Sequence, residues 1–464
     1  MPQHKVDLLI KNGIIVTVDK RRRVITNGSI AIKDKRIVAV DKSSKIDSIY
    51  SADIEVSASG KIVCPGLIDT HLHLAQALLR GCGEQIDALT WLRDWIWPLQ
   101  GHFTEKDGKA SAELCILEMI RSGTTCFLEV LLHRRYGFNG IANAVKRSGI
   151  RGVLAKAIMD TPMFSDKSIL HEGMFEDKDE SLRATVTHLK EWRRNGDSRV
   201  GVWFGPRPVG NCTEETYEEI AELAKQNRTG VTIHHSEVKE QVEYCKEKYG
   251  MSPTQFMRRV GLVGDNVVFA HCIHMTNGEI GIMRKTGTNV SHVPSSDMKL
   301  AMGVAPVSKM LMTGVNVSLG CNGGANNNTY DLLREASRAC LLQRVITHDP
   351  MAVSNMQALE MVTINGARAL GLEKDIGSLE VGKKADIILV NYMRPHMQPL
   401  VDPIAALIHS ASGADVETTI ADGRILMSNR RVLSMNADSV LHQARESLSD
   451  VIDRSGMKKR LMVI

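Results

Sequence analysis

The chain is 464 residues long, 43% hydrophobic and 24% charged, with a formal net charge of +5. That length accommodates one large barrel with a smaller satellite, or two or three ordinary domains, and the composition is that of a soluble globular protein. The small positive excess, with no clustered arginine–aromatic stretch, argues against nucleic acid as the main partner.

Met1-Pro2-Gln3-His4-Lys5 lacks the apolar segment of a secretory leader, and apolar runs elsewhere are too short to cross a bilayer. The first sixty residues alternate β-like runs with turn signals. Asp7–Ile10, Asn12-Gly13 and Ile14–Val18 predict one hairpin; Ser29–Ile32, Asp34-Lys35 and Arg36–Val40 predict a second. Arg21-Arg22-Arg23, like Lys458-Lys459-Arg460 near the other end, reads as solvated surface. At Cys64-Pro65-Gly66 the texture changes. Strand-like runs near Leu67–His71 and Thr124–Leu128 begin a series continued by Gly152–Ala157, Val200–Gly205, Val231–His235, Val267–His271, Thr288–His292 and Val315–Gly320, with helical patterns between them. Eight βα units over about 300 residues predict an α/β fold, a (β/α)₈ TIM barrel.

After Gly366 hairpin texture returns, at Ala385–Val390 and at Thr418–Ala421, Asp422-Gly423 and Arg424–Met427, with a helix over about Asp438–Ile452. The expected division is a small β-sandwich domain from residues 1–64 and 366–435, a barrel over 65–365, and a C-terminal helix and tail over 436–464. The nine cysteines show no CxxC pair or repeated spacing, which suits buried, reduced thiols and a cytoplasmic protein.

The chemistry concentrates at strand ends. In Asp69-Thr70-His71-Leu72-His73, alternate residues of a strand share one face, so His71 and His73 point the same way beside a carboxylate. They end the first barrel strand, on the rim where such barrels keep their catalytic groups. Histidines recur at the ends of later strands, as His234, His271 and His292. Imidazoles on several consecutive strand ends are what one borderline divalent metal requires, zinc first and iron as the alternative.

These motifs together resemble the amidohydrolase superfamily, in its branch of triazine hydrolases and nucleobase-type deaminases, over nearly the whole chain. Pro65-Gly66-Leu67-Ile68-Asp69-Thr70-His71-Leu72-His73 is similar to the family's first-strand motif. His234-His235-Ser236-Glu237 is similar to its HxxE element, His271-Cys272 to its sixth-strand histidine, and His292-Val293-Pro294-Ser295-Ser296 to its seventh-strand motif. Ile376–Asp386 is similar to its C-terminal signature. The resemblance implies that His71, His73 and His234 ligate the metal, that Glu237 shuttles a proton to the ring nitrogen or leaving group, and that His271 orients the attacking water. His235, on the opposite strand face, is expected to be structural.

One departure bears on catalysis. The family's eighth strand ends in Gly-x-Asp-Gly, whose Asp contacts the metal and takes the proton of the attacking water; here the segment is Gly320-Cys321-Asn322-Gly323. Asn322 is carried over as a weak metal contact, since an amide oxygen coordinates but does not act as a base near neutral pH. An engineered inactivating substitution, an enzyme with a rerouted proton and a non-catalytic relative all remain open. Asp297 stands where the family often carries Asn. Gln76, Trp91 and Arg207 are candidate substrate contacts, with Arg80 beside them; Trp95 and Trp97 read as core. The activity implied is hydrolytic deamination of a small nitrogen heterocycle, such as an aminated purine, pyrimidine or triazine, by a homo-oligomeric enzyme. Hydrolysis of an amide, carbamate or C–Cl bond on a similar ring is the alternative.

Overall fold

The protein is described here by a computed structural model covering residues 3–161, 170–196 and 199–460, so Met1-Pro2 and the last four residues lie outside the description. Five strands open the chain: β1 His4–Val16, β2 Val24–Lys33, β3 Arg36–Lys42, β4 Tyr50–Ser57 and β5 Lys61–Pro65. The barrel strands follow as β6 Leu67–His73, β7 Thr124–Leu132, β8 Arg151–Ile158, β9 Val200–Pro206, β10 Val231–His235, β11 Val267–His271, β12 Asn289–His292 and β13 Val317–Leu319. These strands are parallel, each paired with the next in chain order. All but one of their residues are buried, the near-continuous apolar run of a sheet covered on its outer face by helices.

A two-residue strand beyond β13, β14 Asn322–Gly323, closes the circle by pairing in parallel with Leu72 and His73 of β6. Closure therefore runs through the segment that departs from the family motif. A buried hydroxyl cluster reinforces it: Thr70 Oγ1 lies 2.7 Å from Ser291 Oγ and 2.8 Å from Ser318 Oγ, tying β6 to β12 and β13.

The remaining strands, β15 Ile387–Asn391, β16 Val416–Ala421, β17 Arg424–Ser428 and β18 Arg431–Val432, join β1–β5 in a nine-stranded sheet assembled from both ends of the chain. The sheet curls on itself, since the start of β3 is hydrogen-bonded to the segment entering β15 (Ile37 N–H to Lys383 O, 2.9 Å). Ile10, Ile30, Ile37, Ile387, Leu389 and Ile420 meet in its apolar core. The β2–β3 and β16–β17 hairpins form at the expected turns, where Asp34, Lys35, Asp422 and Gly423 take positive φ.

The first expected hairpin does not form. β1 runs straight through Asn12-Gly13 as a bulge, because β2 pairs along its length on one side while β4 and then β5 pair on the other. Gly13 is required there: a Cβ would sit 2.7 Å from Val63 Cγ2 and 2.8 Å from Ala58 Cβ. All nine cysteines are buried and unpaired. Among the described residues no helix is long and apolar enough to cross a membrane.

Candidate active site

His71 and His73 end β6, and His234 comes from β10 across the barrel mouth. One ring nitrogen from each lies within 4.8 Å of the others. His73 Nε2 and His234 Nε2 are 3.3 Å apart, and neither nitrogen of the buried His71 has a hydrogen-bond partner. Burial pushes the His73 imidazole down to about 3 and holds His71 and His234 well below the usual histidine range. All three rings are thus neutral, and one nitrogen of each converges on a common point. This set fits a divalent metal. Asp69 locks the cluster's footing, accepting from His71 N–H (3.1 Å) and from Cys321 N–H (3.2 Å), which joins β6 to the segment before β14.

Beside this set sit His271, Asp297, Glu237 and Asn322. His271 Nδ1 lies 2.8 Å from Asp297 Oδ1, and its Nε2 lies 3.5 Å from Glu237 Oε1. Burial alone would lower His271, but the two flanking carboxylates outweigh it and raise the imidazole. Burial likewise raises the carboxyls of Glu237 and Asp297 against the pull of His271. Asn322 is engaged at both ends of its amide: Nδ2 donates to Ser296 Oγ (3.0 Å), and Oδ1 accepts from Gly323 N–H (2.9 Å). Ser236, His271, Cys272 and Asn322 all adopt positive φ. Left-handed non-glycine residues at the ends of β10 and β11 and at the start of β14 are strain gathered around the barrel mouth, as at sites built for function.

A pocket opens from His73 and His234, with Gln76, Trp91, Trp97, His133, Arg207 and Glu237 in its wall. Gln76 Oε1 is buried without a partner. Its approach also forbids a side chain at 323, where a Cβ would fall 1.7 Å from that oxygen. Trp91 anchors its wall by donating from Nε1 to Cys82 O (3.1 Å). Half-buried Arg207 has no carboxylate partner among the described residues; its Nη2 lies 3.4 Å from His133 Nε2, and its guanidinium stands 5.8 Å from the Trp97 ring centre. Behind it, His133 Nδ1 is 3.4 Å from Glu176, which also pairs with buried Lys156.

Two expectations change. Trp97 belongs to the pocket wall as well as to the core, because its ring closes the space beside Arg207. Arg80 is turned away and pairs with Glu118 on the neighbouring helix. His235 faces outward as expected, bonding Thr254 Oγ1 (2.8 Å) and stacking on Phe269. His133 escaped the sequence reading although it directly follows β7, so the strand-end rule that found the other histidines applies to it equally.

Comparison with known proteins adds to this geometry. The sequence profile of the Amidohydrolase family matches residues 62–426. A 5'-deoxyadenosine deaminase of Methanosarcina acetivorans is 37% identical over 450 residues, covering 97% of this chain and 99% of its own length. A 5-methylthioadenosine/S-adenosylhomocysteine deaminase of Moorella thermoacetica is 37% identical over 95% of this chain and 99% of its own. An adenosine deaminase from Xanthomonas campestris, solved with bound zinc, superposes with a TM-score of 0.92 at 28% identity, covering 97% of this chain and 100% of its own.

Proposed function

The chain belongs to the amidohydrolase family and is a hydrolytic enzyme, and on that premise we propose that it deaminates an amino-substituted nitrogen heterocycle. The observation that carries the reading is the carboxyl of Glu237 beside His271 Nε2, at the edge of three convergent neutral histidines. Adenine-type nucleosides are the first candidates, because the relatives are named for them. A divalent metal, zinc in the first instance and iron as the alternative, would be held by His71, His73 and His234 and would supply the Lewis acidity that activates water.

The chain's own groups account for the rest. Trp91 and Trp97 offer flat apolar walls for a ring. The unpartnered Gln76 Oε1 and the Arg207 guanidinium offer an acceptor and a fork of donors for its polar edge. Glu237, its carboxyl raised by burial, holds the proton that a ring nitrogen needs as water adds to the adjacent carbon. The amino group then leaves as ammonia. The proposal extends to a homo-oligomeric, cytoplasmic enzyme, and the exposed apolar Leu341 and Val345 on one helix support association.

The test is ammonia release by the purified protein from a panel of aminated nucleosides, free bases and triazines, alongside metal analysis. Turnover of at least one compound is expected, lost on chelation and restored by zinc. Glu237→Gln should lower kcat by about 10²- to 10⁴-fold with metal content retained. Chloride or acid release from related rings, with no ammonia from any compound, would replace this reading with hydrolysis of another bond.

A further inference from the structure

Beside the three histidines, position 322 supplies no carboxylate to stand with that of Glu237. Asn322 carries an amide, already committed to Ser296 and Gly323. A second carboxylate lies on the other side of Ser296, at Asp297, in the helix Pro294–Lys299 that follows β12. Asp297 is completely buried, and its Oδ1 is 2.8 Å from His271 Nδ1. Its Oδ2 makes no hydrogen bond and stands 3.6 Å from His292 Nδ1. His271 is also completely buried, held at φ +70 by the end of β11. Its Nε2 has no hydrogen-bond partner and looks toward Glu237, while its ring packs edge-on against His71 and stacks on His234, with centroids 5.2 Å and 5.4 Å away. The result is a line of carboxylate, imidazole and carboxylate along one edge of the histidine cluster.

A carboxylate against one nitrogen of an imidazole decides which nitrogen carries the proton, and so what the other can do. We propose that Asp297 is a positioning residue: it holds the proton of His271 on Nδ1 and leaves the Nε2 lone pair facing the reacting space. His271 then does the work that an amide at 322 cannot do.

The proposal rests on the deaminase reading above, and its steps balance. Water adds its oxygen to the amino-bearing ring carbon and gives one proton to His271 Nε2. The displaced π pair goes to the ring nitrogen, which takes the proton of Glu237. As the C–N bond breaks, the leaving amine takes the proton from His271 and departs as ammonia. The new hydroxyl becomes a carbonyl by returning its proton to Glu237. Both side chains end as they began.

Histidine-selective ¹⁵N spectra distinguish the two neutral tautomers, with the His271 resonances assigned against H271N. They are to be read on the protein as purified and again after chelation. An Nδ1–H tautomer at His271 is expected in both, and this reading needs no substrate, so it stands apart from the deaminase assignment. In D297N the tautomer should become mixed or reversed. There kcat should fall 100-fold or more, with KM within threefold and metal content unchanged. The exchanged pair D297N/N322D, which returns one carboxylate to the site, should regain at least tenfold over D297N. An Nε2–H tautomer of neutral His271 in the purified protein overturns the proposal, a result that stands even if D297N does not fold. So does a D297N enzyme with kcat within threefold of the parent, or an exchanged pair no faster than D297N.

Discussion

Arg207 shows what a single residue costs and contributes. A guanidinium drawn into the wall of a pocket without a carboxylate in contact loses hydration that nothing here fully replaces, and burial lowers its pKa accordingly. Its contacts, a histidine nitrogen at 3.4 Å and the face of Trp97, hold its direction without neutralising it. Such a group is explained by the ligand it would meet. Arg207→Leu should therefore lower kcat/KM by about 10- to 100-fold, on the scale of about 1.5–3 kcal/mol for a hydrogen bond to a charged group. The same substitution should leave the melting temperature unchanged or raise it, since an unpaired charge has been removed. A lower melting temperature with undiminished kcat/KM would show that the arginine is structural. Gln76 belongs with it, being a buried amide whose oxygen faces the pocket unpaired.

At the scale of elements, the catalytic candidates owe their places to strand ends, and the strand ends owe theirs to how helices seat behind them. The helix Glu105–Ser122 shows this seating. Asp107 accepts from Thr104 N–H (2.8 Å) and Thr104 Oγ1 (2.7 Å), closing the helix's first turn, and from Arg454 Nη2 (2.5 Å) of the terminal helix Ala437–Ser455. One buried carboxylate thus caps one helix and clamps another. Asp107→Ala should cost about 2 kcal/mol, more than a simple cap because the Arg454 contact goes with it. Urea midpoints measure the loss, and amide exchange should quicken in the terminal helix. Exchange confined to the first turn of Glu105–Ser122 would reduce the role to capping. β1 teaches the converse. Its Asn12-Gly13 pair is a hairpin signal taken alone, and partners on both sides made it a bulge.

For the whole molecule, stability and site share one network. Glu176 reaches His133 behind the pocket, Lys156 of β8, the Arg134 N–H (2.6 Å) and Ser181 Oγ (2.8 Å), joining the end of β7, β8 and the helix Lys178–Arg194. Burial opposes its charge, but the His133 hydrogen bond and the Lys156 charge outweigh it and hold the carboxyl well below its ordinary 4.5. A carboxyl depressed in the folded state contributes stability that is complete above pH 4.5 and lost as the pH falls toward the folded value. Unfolding midpoints should therefore drop steeply below pH 4.5, and Glu176→Gln should flatten that acid limb while lowering stability at pH 7. An acid limb of unchanged slope in the variant would assign the loss to other carboxylates. Much of this protein was legible in one dimension. Alternating strands and helices, the return of hairpins after Gly366, and histidines at successive strand ends are local properties, because period and turn chemistry act over a few residues. His71, His73, His234 and His271 were within reach for that reason, and Glu237 through the resemblance of His234-His235-Ser236-Glu237 to a family motif. The pairing of His271 with Asp297, the closure of the barrel through Asn322 and Gly323, and the line from Arg207 through His133 and Glu176 to Lys156 were not. Each joins side chains from separate turns of the barrel, and no local pattern sets their spacing. Only the closed register of the barrel, which rotates every strand end toward one mouth, decided which of them touch.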